Sequence, residues 1–329
     1  MSEIIAEPTK PILPSKQENK GKEILARVYL RDPNAGGSFT SITGQPGCGK
    51  TSVMLGLTKY ILKHNKDELV YWSSSYGSPL QFFPLGAGNY HILCKRGMDI
   101  KFWDRVNNCY VDLPHEEFTD FEELYQKSIK GKLNCVFFGD RLLWMDFLEF
   151  LMSKHGWHSV FIDEISEICP AFTAGKIFKK IGWFANHVLG QTRKCWLTVV
   201  TNTQSTGDTD HRIRKKLNIR ILMEGSKASK DTRVFQKAID NLKVDHLHGS
   251  YAYVTTAGVF GVVRFTDVFT PIPNFSVEAR TSFRSDIFGI NSPEQKPGKI
   301  DAGRRFIEPD TIDEFREWKN KRDSLSDVT

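Results

Sequence analysis

Gly44-Gln45-Pro46-Gly47-Cys48-Gly49-Lys50-Thr51 fits the pattern Gly-x-x-x-x-Gly-Lys-Ser/Thr. A short β-rich run, residues 38–43, precedes it. Apolar residues at helical spacing follow it: Val53, Met54, Leu57, Tyr60, Ile61 and Leu62. Glycines let the backbone curve until successive N–H groups point at one spot, and the helix N-terminus adds partial positive charge. Such a loop suits a polyphosphate. Lys50 is placed to reach the β- and γ-phosphates, and the Thr51 hydroxyl to ligate Mg²⁺. ATP and Mg²⁺ are the expected cofactors, with Cys48 contributing only its backbone.

Working outward, strand-like runs alternate with helix-like ones. Residues 68–73, 134–138, 158–162 and 196–201 read as strands, and residues 118–129, 142–152 and 173–189 as helices. That alternation predicts an α/β fold with a mostly parallel central sheet flanked by helices. Residues 23–30 read as a weak first strand, and 90–94 with 100–103 as a hairpin within an irregular insertion, about 75–117. Residues 250–256 and 259–265 read as a second hairpin. We expect a flexible arm over residues 1–24, an ATPase domain over 25–270, and a polar tail over 271–329 with a short helix at 310–322.

The strand at 158–162 ends in Asp163-Glu164. A buried parallel strand has no use for carboxylates inside it, but its C-terminal end opens onto the ligand crevice. Asp163 there holds Mg²⁺ and Glu164 polarises the attacking water, which points to hydrolysis. Asp140, after another strand, reads as a helix cap. The strand at 196–201 runs into Asn202 and Gln204, which alternation puts on one side, so either can sense the γ-phosphate. Arginines 193, 212, 214 and 220 are candidates for the positive charge that phosphoryl transfer recruits.

Composition bounds the remainder. With 329 residues, 40% apolar and 26% charged, the chain can bury a sizeable core. No run approaches 18 uncharged apolar residues, so no membrane span is expected, and no secretory h-region opens the chain. Six cysteines without a Cys-x-x-Cys pair argue against a zinc ribbon and suit a reducing, cytoplasmic compartment. The nine histidines show no zinc spacing. From Lys176 to Lys230 there are twelve Lys/Arg against Asp208, Asp210 and Glu224. That excess of nine exceeds the whole chain's +6 and reads as a surface for phosphates.

The order of these parts resembles the HerA–FtsK group of DNA-pumping ATPases, which includes viral genome-packaging ATPases. The phosphate loop is followed 113 residues after Lys50 by Asp163-Glu164, then by a helix ending His187-Val-Leu-Gly-Gln-Thr-Arg193-Lys194, then by residues 196–204 and Asp210-His-Arg-Ile-Arg214. The likeness covers about residues 36–225. It implies a RecA-like core, with Gln204 as sensor, Arg193 as the leading arginine acting across a subunit boundary, and Arg214 as second choice. It also implies a homo-oligomer, a hexameric ring, with double-stranded DNA in its pore, of viral or plasmid type. The basic 176–230 segment suits that pore or the subunit seam.

Three other readings compete. An AAA+ ATPase also suits the loop and Thr201-Asn202, but a helical lid should then follow residue 225. A nucleotide-controlled assembly protein would bind without turnover. A small-molecule kinase would need an acceptor pocket, which the insertion at about 75–117 could supply.

Overall fold

The computed structural model describes residues 15–281 apart from positions 32–33, 35, 76–79, 83–84, 87, 105–106, 108, 228–233, 235, 243, 246–248, 257–258 and 266–276. In chain order the first elements are α1 (Ser15–Tyr29), β1 (Phe39–Thr43), α2 (Lys50–His64), β2 (Leu69–Ser74), β3 (Tyr90–Lys95), β4 (Ile100–Asp104), β5 (Cys109–Val111) and β6 (His115–Phe118). Next come α3 (Phe121–Lys127), β7 (Leu133–Phe137), α4 (Leu143–Met152), β8 (His158–Ile162), α5 (Gly175–Trp183) and β9 (Leu197–Thr203). The remainder is α6 (His211–Arg214), β10 (Ile219–Leu222), α7 (Gln236–Asp240), β11 (Val244–Asp245), β12 (Gly249–Thr256), β13 (Val259–Phe265) and β14 (Val277–Thr281).

One sheet runs β11-β12-β10-β1-β9-β8-β2-β7-β3-β6, with β13 on β12. The eight strands from β10 to β6 pair in parallel. Strands β1, β7, β8 and β9 are buried along their whole length, as a parallel sheet covered on both faces requires. One face packs α1 and α2 through Ile24, Leu25, Val28, Met54, Leu57 and Ile61. The other packs α3, α4 and α5 through Leu124, Phe147, Leu148, Leu151 and Ile181. Each such buried side chain contributes about 1.5–3 kcal/mol.

Several expectations change. Residues 23–30 form no strand, and the expected flexible arm gives way at Ser15 to α1. Gly21, Ile24, Leu25 and Val28 recur at helical spacing and bury one stripe on β13. The contact is close: a Cβ on Gly21 would lie 2.2 Å from the Val262 carbonyl oxygen. Nor do residues 90–94 and 100–103 pair. β3, apolar on both faces through Ile92, Leu93 and Cys94, enters the main sheet between β7 and β6, while β4 joins β14 and β5 in a small antiparallel sheet. β14 thus adds ordered chain beyond residue 270. The helix expected over 173–189 divides into α5 and a π-helical turn, Phe184–Leu189.

The hairpin at 250–265 forms, as β12 against β13. Among the described residues after 225, strands extend the sheet and only the five-residue α7 is helical, which is not the helical lid of the AAA+ reading. The expected tail helix lies outside the described residues. No helix among those described is long and apolar enough to cross a membrane.

Candidate nucleotide-binding site

The phosphate loop links β1 to α2. Gly47 and Gly49 adopt φ of 81° and 89°, a left-handed conformation that costs a side-chain-bearing residue about 1–2 kcal/mol. No neighbour lies within 4 Å of a Cβ built on Gly47, so conformation and not crowding sets that requirement. Cys48 does more than lend its backbone. Its side chain is fully buried under the loop, and burial raises its thiol pKa, against the lowering effect of Lys50. A protonated, enclosed thiol is a packing group and not a redox switch. Lys50 Nζ donates to the Gly44 and Gln45 carbonyls at 2.8 and 2.9 Å. The turn after β10 braces the loop from the side: Gln45 N–H donates to the Glu224 carbonyl at 2.9 Å, and its side-chain amide to the Glu224 carboxylate at 3.0 Å.

β9 lies between β1 and β8. Two strand spacings, about 9.6 Å, therefore separate the loop's strand from the one that carries the acids. Register places Ile42 opposite Asn202 and Ile162 opposite Thr201, so Asp163 is level with Asn202 and with Ile42, near the end of β1. All three reach the same C-terminal edge. Asn202 ties the acids together. Its side-chain N–H₂ donates to Asp163 Oδ1 at 2.5 Å, and its oxygen accepts from the Glu164 N–H at 2.8 Å. Gln81, from the insertion, donates to Asp163 Oδ2 at 2.6 Å. The Ser73 hydroxyl accepts from the Asp163 N–H at 3.0 Å.

Glu164 has φ of 55°, a rare setting for a non-glycine residue outside functional sites. Its carboxylate accepts a hydrogen bond from Ser166. Of the two strand-end amides, Asn202 is thus built into the carboxylate cluster, and Gln204, one residue past β9, is exposed.

The donors present suit magnesium. Thr51 lies in the first turn of α2 and Asp163 supplies a carboxylate; both offer hard oxygen donors. Gln81 Oε1 and Ser74 Oγ are buried without a hydrogen-bond partner beside them, and such acceptors fit the waters that a bound magnesium retains. Among the described residues no group of three or more His, Cys, Asp or Glu could form an all-protein metal cage, and none is needed where phosphates supply ligands. Beside Asp163 a space of about 10 Å³ is lined by Ser73, Ser74 and Gln81. A second cavity of about 60 Å³ lies between Ser74, Asp140, Arg141 and Trp144. Neither matches the several hundred Å³ of a pocket for a small-molecule phosphoryl acceptor.

The arginines separate. Arg193 lies before β9, at the sheet's N-terminal edge, with its carbonyl accepting from Gly37 N–H at 3.3 Å. At ~3.3 Å per residue along β9, that is roughly 20 Å from the loop of its own chain. Arg212 is structural: it pairs with buried Asp210 at 2.8 Å and lies 3.8 Å over the Phe178 ring. Arg214 is half-buried on α6, with Nε unpartnered. The Arg220 guanidinium donates to the Arg214 carbonyl at 3.3 Å. Asp140 accepts from Leu142 N–H at 2.9 Å in the turn before α4, whose N-cap position is Leu142 with no side-chain cap, so the expected capping role is not met.

Gln81, Ser73 and Glu224 were not singled out in the sequence. Ser73 carried the signal used for Asp163, a polar residue ending an apolar strand. Gln81 stands 82 residues from its partner, with no local signature.

No family model matches the chain, and no curated protein does. Solved structures give slight likenesses. The genome packaging NTPase B204 from Sulfolobus turreted icosahedral virus 2, in complex with ATP-gammaS, is 12% identical with a TM-score of 0.44, over 74% of this chain and 100% of that one. A DnaB-like replicative helicase, solved for its interactions with primase, is 12% identical with a TM-score of 0.37, over 68% of this chain and 53% of that one. The N-terminal domain of zonular occludens toxin from Neisseria meningitidis is 15% identical with a TM-score of 0.32, over 68% and 85%. At such values the fold of this chain rests on its own sheet order and loop, a mostly parallel α/β sheet of P-loop NTPase type.

Proposed function

We propose that this chain is a magnesium-dependent ATPase that moves nucleic acid, most simply double-stranded DNA, as a homo-oligomer. The observation that carries the reading is the fixed cluster Asp163–Asn202–Glu164, whose acids follow the strand two places from that of the Gly44–Thr51 loop and end at the same sheet edge. Amides of the loop and the α2 N-terminus bind the polyphosphate. Lys50, released from the Gly44 and Gln45 carbonyls, orients its terminal groups. Thr51 and Asp163 are the residues to hold magnesium, which when bound neutralises charge on the β- and γ-oxygens. Glu164 orients and polarises the water for attack, and Gln204, exposed at the end of β9, contacts the terminal phosphate.

Arg193 can serve only a neighbouring subunit, because its own loop lies at the far edge. Accordingly, Arg193→Ala should bind ATP normally and lose turnover. Mixing it with Glu164→Gln subunits, whose Arg193 is intact, should restore part of it. No recovery on mixing removes the trans role. The broader test is phosphate release with and without duplex DNA. DNA-stimulated turnover that is absent in Lys50→Ala supports the motor; nucleotide binding without turnover supports an assembly protein instead.

A further inference from the structure

The two edges of the parallel sheet carry opposite charge. The loops entering β2, β7, β8, β9 and β10 (residues 65–68, 128–132, 153–157, 190–196 and 215–218) hold eight Lys/Arg, of which Lys154 is paired with Glu122 at 2.6 Å. Their only acids are Asp67 and Glu68, and Glu68 is buried against Arg31 at 2.6 Å. The loops leaving the strands at the nucleotide edge are the reverse. Residues 138–142, 163–174, 204–210 and 223–227 hold seven acids against Arg141 and Lys227. From β10 to β7 is five strand spacings, so the basic strip is about 24 Å wide. That is the length of roughly seven base pairs at ~3.4 Å each.

At the middle of the strip the β8 and β9 entry loops bring Trp157 and Trp196 into a parallel stack, with centroids 5.5 Å apart and planes 12° from parallel. Trp196 is 42% exposed. It is also, with Glu164, one of two non-glycine residues at positive φ among those described (51°). Its stack on Trp157 holds the ring in place yet leaves nearly half of it in water, at a positive φ that a bulky residue seldom adopts. Strain of this kind collects at functional sites, and an exposed ring among lysines is what nucleic-acid surfaces use.

We infer that this strand-entry edge, opposite the nucleotide edge, is a nucleic-acid-binding surface. Lys66, Lys130, Lys132, Lys194, Lys215 and Lys216 face backbone phosphates, and the exposed Trp196 ring packs on sugar or base. The inference rests on the nucleic-acid part of the proposed function and not on its ATPase part. It also moves the contact away from α5, whose exposed Lys176 and Lys179 lie within the most basic stretch of the sequence.

The test is fluorescence anisotropy with a labelled 20-base-pair duplex and a 20-nucleotide single strand, from 50 to 200 mM salt, without nucleotide. Lys66→Ala/Lys130→Ala/Lys194→Ala should bind at least tenfold more weakly. The slope of log K against log salt should become shallower by about 2–3 for the duplex, near 0.9 per phosphate contact. Trp196→Gly, which suits the positive φ, should weaken single-strand binding at least fivefold. Lys176→Ala/Lys179→Ala should bind as the parent does. Circular dichroism establishes that every variant is folded, whether or not ATP is hydrolysed. Four results overturn the inference: the triple variant binding like the parent, the loss falling on the α5 pair, a parent that binds neither DNA at 50 mM salt, or polyglutamate displacing DNA as well as unlabelled DNA does, which would mark an acidic protein as the occupant.

Discussion

Asn202 is a neutral side chain that touches both acidic residues. It donates to Asp163 and accepts from the Glu164 backbone, so it fixes the direction of one acid and the strained backbone of the other. Partners that orient a metal ligand typically matter 10–100-fold. Asn202→Ala is therefore expected to lower kcat by about 10–100-fold while leaving metal-free ATP affinity unchanged, because Lys50 and the loop amides are untouched. Steady-state phosphate release and a fluorescent-nucleotide titration separate the two effects. Equal loss of both would mean that Asn202 supports the fold and not the acids. The phosphate loop and Asp163-Glu164 were legible in the sequence because each signal is local: glycines at fixed spacing, and acids where an apolar strand stops. The Asn202 bridge was only half legible. Alternation narrowed the choice to Asn202 or Gln204, and the register of β8 on β9 was needed to see which one meets the carboxylates. Gln81 had no local signal.

Elements were read well where both faces are buried or one period dominates, and less well where composition misled. The polar composition of residues 1–24 reads as a flexible arm and the weak alternation of 23–30 as a strand, yet Gly21, Ile24, Leu25 and Val28 form the stripe that places α1 on β13. Gly21→Ala gives this packing a test with a diagnostic sign. In an exposed helix the substitution stabilises by about 1 kcal/mol. Here the added methyl lies 2.2 Å from the Val262 carbonyl oxygen, and overpacking of this kind costs about 1–3 kcal/mol. A lower urea midpoint supports close docking of α1; a raised one would mean that the helix stands clear of the sheet. The 90–103 hairpin failed for a related reason. Pairing there is decided by partners far along the chain, β7 and β14, which local pattern does not reveal.

At the scale of the whole molecule, the sheet carries the phosphate loop and the carboxylates at one edge and the basic strip at the other, and its stability carries a pH signature. Burial pushes the His158 imidazole down to about 4 from its ordinary 6.5. Between those values the unfolded chain binds a proton that the native chain does not, so stability falls as pH drops from about 6.5 towards 4. At 1.36 kcal/mol per unit the loss reaches about 3 kcal/mol. Urea unfolding at pH 7.5 and pH 5 should reveal it, and His158→Phe should flatten the difference. An unchanged pH dependence in that variant would assign the slope to other groups.

The proposed function requires that a triphosphate held by the Gly44–Thr51 loop present its terminal group to Glu164. A single-turnover measurement of phosphate release alongside ATP binding in Glu164→Gln tests this. ATP should bind as tightly as to the parent, with phosphate release slowed at least 100-fold. Release at the parental rate would contradict it, since the water would then be activated by some group other than the acid at the end of β8.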